Sequence, residues 1–254
     1  MSWVWIVLYG LFGALIGGLL NQIIDRAPRR VRIWTPGPAC EHCGTTLSAR
    51  EMLPVLSYLE RRGRCAVCGG GIPRRVLWVE VGTGLLFAGL AWYRGFGFDL
   101  LADSVYTAFF VAIAVIDLEH HLILNRVIYP GIWAVLGLAA VRPWLGEPRV
   151  LHYAFWQQMG RSAGTTPAGA GFSSQVAGGL VALAIFFVLY LLSRGAMGDG
   201  DVRLALMTGL IVGYPGALLV VVGAIMLAGL ASAVLLATRA ATPKTAIPFG
   251  PFLV

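Results

Sequence analysis

"SQVAGGLVALAIFFVLYLLSRGAMGDGDVRLALMTGLIVG", residues 174–213, decides the architecture. From Ser174 to Ser193 there is no charged side chain. A run of that length crosses a hydrocarbon core of about 30 Å as a helix. A second run, 202–213, is short on its own, and "GYPG" after it suits a tight turn into the next run. Between the two runs lie glycines and two carboxylates, Asp199 and Asp201. An ionisable group beside a membrane span is costly to keep, and its default reading is functional.

The rest of the chain repeats the apolar theme. Hydrophobic residues make up 58% and charged residues 12% of 254, with mean hydropathy +0.78. Soluble domains carry roughly 25% charge. Apolar runs near 3–24, 76–93, 100–117, 127–145, 174–193, 202–213 and 216–238 predict seven membrane helices. The chain ends on "AIPFGPFLV" (246–254), which reads as the opening of an eighth. The opening run lacks a basic n-region and reads as a retained span rather than a signal peptide. The expected fold is an all-α, polytopic helical membrane bundle with a small polar insert.

Net charge is +7, which fits either nucleic acid or an anionic membrane surface. Ten of the 19 basic residues fall between Arg26 and Arg75. That concentration marks a cytoplasmic loop. No nucleic-acid-binding pattern accompanies it. With 26–75 inside, alternation places 118–126, 194–201 and 239–247 inside and 146–173 outside. Arg194, Arg239 and Lys244 agree with this orientation. "VLHYAFWQQM" in the outer loop is expected to lie on the membrane surface.

All four cysteines occupy the insert as "CEHC" (Cys40, Cys43) and "CAVC" (Cys65, Cys68). The pattern C-x2-C-x21-C-x2-C has the spacing of a zinc ribbon. Gly44 and Gly69 follow the two turns. Four thiolates close a tetrahedral site, so a structural zinc is expected and a catalytic one is not; His42 is not needed as a ligand. Disulfides are the weaker alternative in a reducing compartment; free thiols or a degenerate site are the others. Zinc would replace the core that an insert of this size lacks.

The third run ends "VAIAVIDLEHHLILN", placing Asp117 about one turn from the cytoplasmic interface. Asp201 opens the sixth run at the same expected depth. Two facing aspartates share a proton, one acting as base toward water and the other as acid toward a peptide carbonyl. Gly198 and Gly200 let a substrate strand approach. Asp199, Glu119, His120 and His121 read as interfacial, solvated groups. Singly, Asp201 is also a good helix N-cap.

Together these residues resemble the type IV prepilin peptidases, intramembrane aspartyl peptidases with a GxGD motif. "MGDGD" fits that motif through Gly198, Asp199, Gly200 and Asp201, and "IDLEHHLILN" is similar to the segment around the first catalytic aspartate, Asp117. "GGLLNQIIDRAP" resembles the family's opening, and "IPFGPFL" the start of its last helix. The stretch from "CEHCGTTLSAREMLPVLSYLERRGRC" to "VE" is similar to the cytoplasmic segment of the bifunctional members, with Glu51, Pro54, Leu56, Ser57, Tyr58 and Glu80 in matching places. The chain departs from the pattern at Leu124, where proline is usual, and at Arg203, where lysine is common.

The resemblance implies a peptidase that removes basic leaders from prepilins and pseudopilins at the cytoplasmic face of the inner membrane. It also implies N-methylation of the new terminus with S-adenosylmethionine. Glu51 and Glu80 are the candidates for contact with that cofactor. The expected domains are a first transmembrane helix (1–25), the four-cysteine insert (26–75) and a transmembrane peptidase body (76–254). The alternatives are a peptidase without methyltransferase activity, or a transporter or assembly scaffold that uses paired acids for protons or cations. Against the last, broken-helix transport sites lie near the midplane, whereas these acids lie near one face.

Overall fold

The computed structural model describes residues 3–29, 40, 43–46, 55–141, 172–193, 197–238 and 250–253. Their elements are α1 (Trp3–Arg26), α2 (Leu56–Glu60), α3 (Arg74–Arg94), α4 (Phe98–His120), α5 (Asn125–Val141), α6 (Phe172–Leu192), α7 (Asp199–Val212), α8 (Gly216–Ala237) and α9 (Gly250–Leu253). There is no strand among the described residues; an isolated antiparallel bridge joins Arg64 and Gly71. His42, Glu51, Pro54, residues 142–145, the loop 146–171, Arg194, Arg239 and Lys244 lie outside the described residues.

A helix stands over each of the seven apolar runs. Five of them, α1, α3, α4, α6 and α8, are long and apolar enough to cross a membrane. The 14 residues of α7 reach about 21 Å, less than a bilayer core. That helix opens at Asp199 rather than at residue 202. Gly198 is extended (φ −74°, ψ 147°) and serves as N-cap, so both acids enter the first turn, where the helix dipole favours negative charge. At its other end Gly213, at φ 76°, donates its N–H to the Gly209 carbonyl and stops the helix. Only glycine takes that backbone region at little cost.

The side-chain distribution is inverted relative to a soluble protein. Trp3, Trp92, Trp133 and Phe96 are among the large apolar side chains left on the outside. Asn21, Glu80, Thr83, Asp117, Gln175 and Thr208 are buried. Lipid accepts the first set, and the second must find partners inside. This is a polytopic all-α membrane protein carrying a four-cysteine cluster.

The chain divides into two compact units, residues 1–112 and 113–254. In the first, α1 and α3 cross with backbones in contact. A Cβ on Gly13 would lie 2.5 Å from the Phe87 Cβ, and one on Gly17 would lie 2.8 Å from the Glu80 Cα. Small residues replace the missing hydrophobic drive between helices in lipid by allowing such approach. Tyr9 stacks on Phe87 with ring centroids 5.6 Å apart. Its hydroxyl lies 2.7 Å from that of Ser104 on α4.

In the second unit α6 and α7 meet the same way. A Cβ on Gly209 would lie 2.5 Å from the Gly178 carbonyl oxygen and 2.7 Å from the Ala182 Cβ. Ile113, Ile116, Ile128, Val135, Phe186, Leu204 and Met207, carried on α4, α5, α6 and α7, are buried. Gly209→Leu is therefore expected to destabilise this unit by about 3 kcal/mol, the upper range for overpacking. Thermal unfolding in detergent would show it; an unchanged melting temperature would contradict the close crossing.

Candidate functional site

Two sites stand out, one in each unit. The first is the cysteine cluster. One sulfur from each of Cys40, Cys43, Cys65 and Cys68 falls within 4.8 Å of every other. Cys40 and Cys68 are 3.8 Å apart and Cys43 and Cys65 are 4.0 Å apart. A tetrahedron with metal–sulfur bonds of about 2.3 Å has edges of about 3.8 Å. A disulfide needs about 2.05 Å, so these are four free thiols.

The two turns are built alike. Gly44 N–H donates to the Cys40 carbonyl at 2.9 Å, and Gly69 N–H to the Cys65 carbonyl at 3.0 Å. Both glycines are left-handed, at φ 71° and 68°. Thr45, through its hydroxyl and its backbone, brings the Cys43 thiol down to about 6. Cys68 receives the Gly70 N–H, yet burial and the three neighbouring sulfurs push it up to about 11. Sulfurs this close resist ionising together; a cation at their centre removes that conflict, and the donor set fits a metal ion.

The insert is fastened to α3. Glu80, buried in that helix, accepts the Val55 N–H at 2.7 Å. Val55 sits at φ 61°, a strained value for a β-branched residue, and the carboxylate holds it there. Arg75 pairs with Asp25 at the end of α1, and Asn21 donates to the Val76 carbonyl at 3.1 Å. Glu80 thus belongs with the insert. Its expected companion Glu51 lies outside the described residues.

The second site lies where the last turn of α4 meets the first turn of α7. Asp117 is 4% exposed in that last turn. The chain leaves α4 at His121, at φ 52°, whose N–H still bonds the Asp117 carbonyl. Residues 121–124 turn, and α5 begins at Asn125. Against this turn packs Gly200: a Cβ there would lie 2.6 Å from the Ile123 Cβ. A side chain at 200 would push α7 away. With glycine, Asp201 comes within electrostatic range of Asp117, and its own N–H bonds the Gly198 carbonyl. Asp201 is half-buried and Asp199 exposed.

Two further contacts escape motif reading. Arg203 donates to Asp199 at 2.7 Å, bonds the Asn125 side chain and lies 5.7 Å over the Tyr129 ring. Arg203, one of the two positions that depart from the resemblance, therefore reaches the residue that follows the other, Leu124. The other contact is the Gly250 N–H, which donates to Asp117 Oδ2 at 2.9 Å. The stretch "IPFGPFL" signals an apolar helix start, and nothing in it marks a backbone donor for an acid far upstream. Glu119, His120 and His121 are exposed, as expected.

Known proteins resemble the chain over the segments that carry both sites. Residues 11–94 match the bacterial peptidase A24 N-terminal domain, and residues 104–233 match the type IV leader peptidase family. Proteins named prepilin leader peptidase/N-methyltransferase are similar along nearly the whole length. One from Pseudomonas putida is 29% identical over 98% of this chain and 87% of its own. One from Bacillus subtilis is 27% identical over 95% and 87%. Another, from Myxococcus xanthus, is 36% identical over 51% of this chain and 38% of its own. No solved structure matches. With half the chain covered by the one family model and the acids placed inside it, this protein belongs to the type IV leader peptidase family.

Proposed function

We propose that this protein cleaves the leaders of type IV prepilins and pseudopilins by an aspartyl mechanism and methylates the amine it exposes. The approach of Asp117 and Asp201, held by Gly200 against Ile123, carries the reading. One carboxylate takes a proton from water as the oxygen attacks the scissile carbonyl; the other carboxyl protonates the carbonyl oxygen. The tetrahedral intermediate then collapses, the C–N bond breaks, and the leaving amine takes a proton from the dyad. Exposed Gly198 leaves the start of α7 open to an extended substrate, whereas Gly200, expected to do the same, is taken up by its packing on Ile123. The substrate's own apolar N-terminal helix lies in the membrane beside these helices.

The acids and the insert occupy the cytoplasmic face of the inner membrane, with residues 1–25 as the first span, 26–75 as the insert and 76–254 as the peptidase body. Cys40, Cys43, Cys65 and Cys68 hold a structural zinc, which organises the insert. S-adenosylmethionine would supply an electrophilic methyl group to the new terminal amine. Glu80 is a buried carboxylate with more acceptor capacity than one amide uses, which suits a cationic, hydroxyl-bearing donor; Glu51 is its proposed companion. Labelled methyl donor, offered with a pre-cleaved substrate, tests the second activity separately from cleavage. No incorporation would leave a peptidase alone.

Arg203 is expected to act on the site and little on stability. Its pair with Asp199 is largely exposed, and such pairs contribute about 0–1 kcal/mol. Arg203→Ala should leave the melting temperature unchanged yet slow leader cleavage about tenfold, as α7 loses its tie to Asn125. Arg203→Lys should recover only part, because an ammonium lacks the planar fork. Equal rates in all three proteins would remove Arg203 from the site.

A further inference from the structure

The short helix α9 is tied to both acid-bearing helices of its unit. At its start, the Gly250 N–H donates to Asp117 Oδ2 at 2.9 Å. At its end, the Leu253 carbonyl accepts from the Thr208 hydroxyl at 3.3 Å. Thr208 lies on α7 about two turns beyond Asp201. Thr208, Gly250 and Leu253 are all buried. There is no room at 250 for a side chain: a Cβ would lie 2.4 Å from Asp117 Oδ2 and 3.0 Å from its Cγ.

We propose that Gly250 and Thr208 are positioning residues, and that α9 is a strut fixing the Asp117 carboxyl relative to α7 and Asp201. The proposal rests on the reading of Asp117 and Asp201 as the catalytic pair. A carboxyl group on a helix end rotates about χ2 unless something holds it. The Gly250 amide engages Oδ2 and leaves Oδ1 to exchange protons with water. Glycine is required because the donor must stand against the acid itself. On α7, a mid-helix threonine hydroxyl commonly bonds the carbonyl a turn before it. The Thr208 hydroxyl instead reaches across to α9, so one short segment is fixed to both helices.

A misplacement of about 1 Å costs on the order of a hundredfold in rate. Gly250→Ala should therefore lower kcat for leader cleavage about a hundredfold and leave KM for the prepilin unchanged. Thr208→Val should lower kcat about tenfold, the effect of one buried hydrogen bond, and Thr208→Ser should restore it. A hydroxyethylene peptide, which imitates the tetrahedral intermediate, should bind Gly250→Ala poorly while uncut prepilin binds normally.

Asp117→Asn and Asp201→Asn are run beside these variants. If either cuts normally, the catalytic pair itself is wrong. If both are dead while Gly250→Ala and Thr208→Val cut at the wild-type rate, the strut is wrong and the pair stands. If Gly250→Ala does not fold, the Thr208 pair decides: equal kcat for valine and serine overturns the proposal. So does a parallel loss of kcat, KM and melting temperature in every variant.

Discussion

Asp117→Asn and Asp201→Asn, each alone, are expected to slow leader cleavage by about 10⁴, the upper range for loss of a general acid or base. Asparagine keeps the shape of the carboxyl group and loses the ability to trade a proton. At 117 it also keeps an oxygen to accept the Gly250 N–H. The fold should therefore survive, and an unchanged melting temperature in detergent would confirm that. Asp199→Asn is the control. Asp199 is exposed and bonded to Arg203, so its loss should cost far less than either dyad member. The variants also separate the peptidase from a proton or cation carrier, which would process prepilin normally with either acid replaced.

The second large effect is expected at the cysteines. Replacing any one by serine should reduce bound zinc from about one ion per chain to near none, since small domains of this kind do not fold without metal. Metal analysis of the purified protein measures the loss. Limited trypsin digestion reads the consequence, because the insert is rich in arginine and becomes accessible when unfolded. The Glu80–Val55 bond connects that insert to α3, so methyl transfer should fall with zinc. Leader cleavage should fall less, since both acids lie in the unit formed by residues 113–254. Full zinc occupancy in Cys40→Ser and Cys65→Ser would contradict a four-sulfur site.

The sequence makes some of this legible and hides the rest for physical reasons. Helices over 3–26, 98–120 and 172–192 are readable because lipid demands length and apolarity, both of which are counted along one chain. The extra turn at Asp199 is less so, since the extended N-cap at Gly198 is a single backbone conformation that hydropathy does not register. The cysteine turns announce themselves because ligand spacing and the following glycines are local. Asp117 and Asp201 stand out as charges in apolar surroundings. What spacing does not contain is a backbone group as partner: the Gly250 N–H carries no side-chain signature, and its acid is 133 residues away. Gly200 is similar, since its need for a bare Cα is set by Ile123 in another segment. The Arg203–Asn125 bond joins a position that looks like a departure when read singly to one 78 residues away in sequence.

The most direct measurement is the N-terminal mass of a prepilin co-expressed with this protein. The account predicts a substrate shortened by its leader and carrying one added methyl group with the wild type, and a full-length, unmethylated prepilin with Asp117→Asn or Asp201→Asn. A leader still attached in the presence of the wild type, or removed equally well by either variant, would contradict it.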